Sequence, residues 1–380
     1  MTVETQNPEY TDSLPKWTLV RTCVSGAQAV RKAGVVYLPD PDPKEADKTK
    51  RYDPYKARAQ FVNVTARTRN AMVGMAFRRV PEVDVKGIEY IEANATGSGT
   101  SLEQLGKMVT GDLLEVGRIG LLADYPIAEQ GLSKEQIKAL GLTANVKVYT
   151  AENIINWKTS VIGGESVLSL VVLLEDYAVA GDEFEQETKK QYRVLKLVDG
   201  PSQLKADGKL LNRIPFIIAG TYSNDPAVDG AALYDIAEIN IGHYRNSADY
   251  EEGIFLHGQP MLHIDVGAMG AAEWDTLNPN GVEVGARRGI VTNGGGSAAL
   301  LQAESNSAAY EAMKQKEGQM VSIGASLIES GGQAETAEAA RIKHAGDNSV
   351  LTNIVQNASS AIQTSLEWVA MFMGVNTTPV

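Results

Sequence analysis

At 380 residues the chain is long enough for two or three domains, each with its own hydrophobic core. It is 43% hydrophobic and 22% charged, a globular balance, and its formal net charge of −12 opposes tight non-specific binding to phosphate-rich nucleic acid. The single cysteine, Cys23, excludes an intramolecular disulfide and a cysteine-based zinc site and fits a reducing, cytoplasmic origin. Met1–Pro15 contains no signal-peptide core, and no apolar run reaches the roughly 18–20 residues of a membrane span. A soluble intracellular chain is the expectation.

Residues 1–16 are polar and are expected as a flexible N-terminal arm. From Trp17 to Lys32 the pattern predicts a helix, with Trp17, Val20, Val24 and Ala27 near one face. Pro39-Asp40-Pro41-Asp42-Pro43 breaks the chain, and the charged run Lys44–Lys50 reads as a solvated loop. A further helix is predicted from about Lys56 to Phe77, laced with Arg58, Arg67, Arg69, Arg78 and Arg79. Such a helix suits phosphate, but in so acidic a chain ion pairs to carboxylates are the favoured reading. Ser101 and Gln104 have capping-box spacing and predict a helix through Leu114.

Strands are predicted at 117–124, 146–149, 154–158, 167–175 and 191–198, with glycine in the first allowing close backbone approach. Asp182–Glu187 reads as an acidic hairpin or loop. Asn212–Ile218 is an exit strand in which Pro215 favours a sheet edge. The region is of α+β type. A helix follows from near Asp229 to His257, then a strand at 259–266 and a small glycine-rich, β-containing insert to Ala303.

The last segment, Glu304–Gly374, reads as two helical stretches joined by Glu329-Ser330-Gly331-Gly332-Gln333-Ala334-Glu335, a loop with no apolar anchor. Helix is predicted again from Thr336, its N-cap, towards Met373, with an apolar stripe at Val350, Ile354, Ala358, Ile362, Leu366, Val369 and Met373. Gly346-Asp347-Asn348-Ser349 would kink this helix or restart it with a new cap; unbroken, it would span roughly 57 Å.

No catalytic constellation emerges. His243, His257, His263 and His344 lack metalloprotease spacing, and Gly294-Gly295-Gly296-Ser297 matches neither a P-loop nor a dinucleotide-binding pattern and reads as a hairpin tip. There is no glycine-framed serine elbow. The expectation is no catalytic residue, no cofactor and no metal, hence no enzyme.

The order of parts resembles the portal proteins, or head-to-tail connectors, of tailed double-stranded-DNA bacteriophages, most of all a DUF4055-like portal subfamily. The resemblance is carried by Tyr52–Ala59, Asn63–Thr68, Gly74–Phe77, Asn212–Phe216, Tyr250–Phe255 and Glu335–Ala339, and it spans most of residues 50–375. It implies the α+β portal fold, with an arm (1–16), a wing (17–228), stem helix 1 (229–257) and a small β-containing clip (258–303). Stem helix 2 (304–328), a tunnel loop (329–335), a long kinked helix on the wing and crown side (336–374) and a tail (375–380) follow. Many relatives continue further, so a crown is expected to be small or absent here, or the chain shortened.

The resemblance also implies a dodecameric ring at one capsid vertex of the virion, assembled in the host cytoplasm, through which double-stranded DNA is packaged and ejected. Its partners would be further copies of itself, the large terminase, adaptor or head-completion proteins, and capsid and scaffolding proteins; no membrane is implied. Ser330, Gly331, Gly332, Gln333, Ala334 and Glu335 would be the DNA-channel loop. The alternatives are another structural virion component of adaptor type, against which the long helix–clip–helix–loop–helix order argues, and an α+β enzyme with an unrecognised site.

Overall fold

The computed structural model describes residues 2–79, 81–126, 141–179, 187–197, 205–206, 209–211, 213–258, 261–265, 267–277, 279, 297–301, 307–328, 349–375 and 379. In chain order the elements begin with α1 (Pro8–Ser25), α2 (Ala27–Ala33), α3 (Tyr52–Arg58), α4 (Val64–Ala76), α5 (Tyr90–Ala93) and α6 (Leu102–Val116). The strands β1 (Arg118–Asp124), β2 (Asn145–Thr150), β3 (Ile154–Ile162), β4 (Glu165–Val179) and β5 (Glu187–Lys196) come next. Two short strands, β6 (Lys205–Ala206) and β7 (Lys209–Leu210), precede β8 (Phe216–Gly220). The remainder is α7 (Tyr234–His257), β9 (Met261–Asp265), α8 (Ala271–Leu277), β10 (Ser297–Leu301), α9 (Ala308–Ser326) and α10 (Val350–Phe372). The fold is α+β, with every described strand pair antiparallel.

The chain divides into two compact units: Met1–Val30, Asn63–Asn240 and Gln319–Val380 form one, Arg31–Val62 and Ile241–Gly318 the other. In the first unit, β2-β1-β8 form one sheet and β3-β4-β5 a second. Helix α10 packs on β8, β1 and α6, while α1 lies against β3 and α6. The core joins Tyr10 and Trp17 of α1 to Leu122, Tyr149, Ile154 and Trp157 of the sheets, with Phe216 and Ile218 of β8.

Several expected elements form with the expected local chemistry. Ser101 Oγ accepts from the Gln104 amide at 3.2 Å and Gln104 Oε1 accepts from the Ser101 amide at 3.0 Å, so both halves of the capping box are made. Pro215 stands just before β8, which is a sheet-edge strand. Gly117 ends α6 in the left-handed conformation (φ 72°), where an added Cβ would lie 2.7 Å from the Gly230 carbonyl oxygen. Gly120 differs from its expected role: a Cβ there would meet the Phe216 ring at 2.3 Å, so the missing side chain makes room for an aromatic ring rather than a backbone.

The arm expected at 1–16 is corrected from Pro8 onward. Asn7 Oδ1 accepts from the Glu9 amide at 3.0 Å, and Pro8 stands at the first helical position, so helix begins there. Tyr10, two turns before Trp17 on the same face, meets it edge to face at 5.7 Å, and its hydroxyl donates to the Glu152 carbonyl at 3.0 Å. The helix expected at 17–32 is cut by Gly26 at φ 95°. That expected at 56–77 is two helices, because Asn63 starts a new one by accepting from the Ala66 amide at 2.9 Å.

In the second unit, residues 31–62 join 241–318 rather than the rest of 17–228. Tyr55 donates its hydroxyl to Asp249 Oδ1 at 2.7 Å, Arg58 pairs with Glu252, and the Gln60 amide donates to Ser247 Oγ at 2.8 Å. Arg245 donates to the Tyr37 carbonyl at 2.8 Å. Strands β9 and β10 pair antiparallel from Met261↔Leu301 to Asp265↔Ser297, giving the expected insert its sheet; the short α8 between them was not foreseen. Residues 180–186, most of the expected acidic hairpin, lie outside the described residues.

The Gly120 geometry predicts that Gly120→Val overpacks the β1–β8 layer and destabilises the fold by about 1–3 kcal/mol. Thermal unfolding should show a lowered midpoint; an unchanged one would contradict this packing.

Candidate functional site

Ser330, Gly331, Gly332, Gln333, Ala334 and Glu335 lie outside the described residues, as does the expected start of the long helix at Thr336. Their flanks are described. Near the end of α9, Met320 and Gly324 are buried, and a Cβ on Gly324 would stand 3.5 Å from Thr68 Cγ2 of α4. The last turn closes with Leu327 N–H donating to the Ile323 carbonyl at 3.3 Å. On the far side, Ser349 caps α10, its Oγ accepting from the Thr352 amide at 3.2 Å, which matches the expected restart at Gly346–Ser349. The two flanks meet: the Leu351 N–H donates to the Leu327 carbonyl at 3.3 Å. The described flanks of residues 329–348 are therefore hydrogen-bonded to each other.

Helix α10 holds that contact in register. Ile354, Ala358, Leu366 and Val369 of the expected stripe are buried, with Ala361, Ser365 and Ala370 beside them. Asn357 Nδ2 donates to the carbonyls of Gly220 at 2.9 Å and Thr221 at 3.2 Å, and Asn224 Nδ2 donates back to the Asn357 carbonyl at 2.9 Å. These reciprocal amide bonds fix the helix against the end of β8.

A polar cluster ties α1 to α6 and α4. Arg21 Nη1 lies 2.7 Å from Asp112 and 2.5 Å from Glu115, and its Nε is 3.0 Å from Glu152. Arg69 Nε reaches the other Glu115 oxygen at 2.9 Å. Burial works against the Arg21 charge, but hydrogen bonds and the charges of Asp112 and Glu152 outweigh it and hold its proton more firmly than usual. Burial alone would raise the Glu152 carboxyl; the hydrogen bond and charge of Arg21 reverse that and leave it below its usual range. Arg58 and Arg69 of the predicted arginine-laced stretch thus serve carboxylates, while Arg67, Arg78 and Arg79 are exposed.

Arg118, expected only as a strand residue, has a buried role. Its guanidinium lies 4.0 Å over the Trp157 ring, and Nη1 donates to the carbonyls of Pro226 at 2.8 Å and Ala227 at 2.9 Å, anchoring the segment before α7. Burial lowers its pKa to about 10, against the pull of Glu9, Asp229 and Asp225. Cys23 is buried, which pushes its thiol up to about 12 and leaves it a core residue rather than a nucleophile. His243 is buried with Nε2 3.2 Å from Glu317. Among the described residues no group of three or more His, Cys, Asp or Glu is placed to hold a metal ion.

Between α6 and α10 lies a cleft of about 450 Å³. Its walls are apolar, with Phe77, Leu102, Val355, Ile362 and Leu366 around Gly106. Glu82, Glu92 and Glu103 stand at its edge, the last 2.5 Å from Lys107 Nζ. Thr110, 1% exposed, also lines it, and its hydroxyl has no hydrogen-bond partner. Nothing in the sequence pattern foretold the cleft, because its walls come from three distant segments.

A family model described as a domain of unknown function (DUF4055) matches residues 232–373, a span that includes Ser330–Glu335. Among solved structures the chain is similar to one from "Virion of native gene transfer agent (GTA) particle", at 15% identity and TM-score 0.45, covering 93% of this chain and 88% of that one. It is similar to one from "Neck of empty GTA particle computed with C6 symmetry" at 15% identity and TM-score 0.45, covering 84% and 80%. A third, from "Neck of native GTA particle computed with C12 symmetry", is 16% identical with TM-score 0.48, covering 83% and 79%. No curated protein matches.

Because Arg21 neutralises two nearly buried carboxylates, Arg21→Met is expected to destabilise the fold by about 3 kcal/mol. The Glu152 contribution has a definite sign. Its folded pKa is depressed, so the stability is full above the usual glutamate value and is lost as pH falls through the lowered folded value. Urea unfolding from pH 7 to pH 3 should show this loss in the native protein and a flatter profile in Arg21→Met; equal slopes would contradict the assignment.

Proposed function

We propose that this chain is a phage portal subunit, one of about a dozen copies closing a ring by a heterologous interface. The ring would occupy one capsid vertex of the virion, conduct double-stranded DNA during packaging and ejection, and dock the large terminase and head-completion proteins. In this reading α7 and α9 are the stem helices, β9, α8 and β10 belong to the clip, and the α+β elements before them form the wing.

The observation that carries the reading is the junction of Leu327 with Leu351. Flanks tied to each other in this way suit a connecting segment offered to a channel while the helices on either side stay held. Ser330–Glu335 are the residues we assign to the narrowest part of that channel. Gly331 and Gly332 leave the backbone free of side chains there. The match of residues 232–373 to DUF4055 agrees with the portal subfamily that the sequence resembles.

Charge supports the same reading. A net charge of −12 gives passing phosphates little to hold, and Arg58 and Arg69 are engaged by carboxylates. The duplex would slide rather than stick.

The test is positional. Gln333→Cys, labelled with gold, should place the label inside the central hole of a ring in electron micrographs of the purified protein. A label on the outer rim would overturn the channel assignment, and particles without a ring would overturn the portal reading.

A further inference from the structure

We infer that the cleft between α6 and α10 is a subunit socket, filled by the β3–β4 hairpin tip of a second copy of this chain. The inference rests on the ring reading above and names the contact that would close it.

Among the described residues the tip is an uncovered knob. Val161 is 76% exposed and Ile162 50% exposed, at the end of a ladder that runs from Ile154↔Leu173 to Ile162↔Glu165. The turn is Gly163-Gly164, at φ 62° and 89°, where an added Cβ would meet nothing within 4 Å. Two adjacent branched apolar side chains held in water on a firm ladder are an unfavourable surface unless something covers them.

The cleft is the complementary hole. Its apolar walls and volume of about 450 Å³ suit a short apolar segment rather than one side chain. Charge favours the same pairing: Lys158, exposed on the strand leading to the tip, faces the opposite sign in Glu82 and Glu92 at the cleft edge.

A second copy is the occupant because the chain carries both halves. The helices lining the cleft pack on β2-β1-β8, whereas the tip belongs to β3-β4-β5, and the ladder keeps the tip from folding back. One patch meeting a different patch on the next copy is the heterologous arrangement that closes into a ring.

Disulfide trapping in the full chain tests this. Val161→Cys with Ser359→Cys, and Ile162→Cys with Gln363→Cys, place thiols at the tip and at cleft-lining positions of α10 that are exposed, so folding is spared. The native Cys23 is buried and should not compete. Under mild oxidation each double variant should give a ladder of covalent multimers on non-reducing gels, and no single variant should. A ring of native mass with no ladder from either pair would overturn the socket while leaving the portal reading in place. Absence of any ring in the native protein would overturn both.

Discussion

The burial of α10 against β8, β1 and α6 is the interaction on which the first unit depends. Each large apolar side chain withdrawn from water stabilises by about 1.5–3 kcal/mol, and Ile354, Leu366 and Val369 are each 3% exposed or less. That burial is directional because Asn357 locks the helix to the carbonyls ending β8. It also sets the cleft, since Val355, Ile362 and Leu366 form one wall of it. The same helix brings Leu351 to Leu327, so the base of the 329–348 segment is a by-product of core packing.

The polar interior follows a related logic. An acidic chain could spend its arginines on phosphate, but Arg21, Arg58, Arg69 and Arg193 are paired with carboxylates inside the two units. Arg118 goes further, buried against Trp157 with backbone carbonyls as partners. Cations used this way hold elements together and leave the net surface acidic. Structure and composition therefore agree on an acidic chain whose paired arginines are committed to its own carboxylates.

Much of the fold was legible where the determinants are local. The Ser101–Gln104 box, the Ser349 cap, the edge position of Pro215 and the stripe of α10 all depend on residues within one or two turns or strand steps. What was missed depends on partners far away. Tyr10 joins the core only because Trp17 and Glu152 are beside it, so Asn7-Pro8 looked like part of an arm rather than a helix start. Residues 31–62 read as a continuation of the α+β region, yet their tyrosine and arginine partners are some 190 residues later in α7, as Tyr55–Asp249 and Arg58–Glu252 show. The cleft was invisible for the same reason. Residues 329–335 were legible only as a stretch without apolar anchors, and the channel role proposed for them comes from the order of elements around them.

Native mass spectrometry of the purified protein tests the central claim most directly, since each chain contributes 40.8 kDa. The account predicts one closed assembly of about a dozen copies, with no ladder of open intermediates at equilibrium, as expected when a heterologous contact closes by rotation. A monomer or dimer under every solution condition would contradict it.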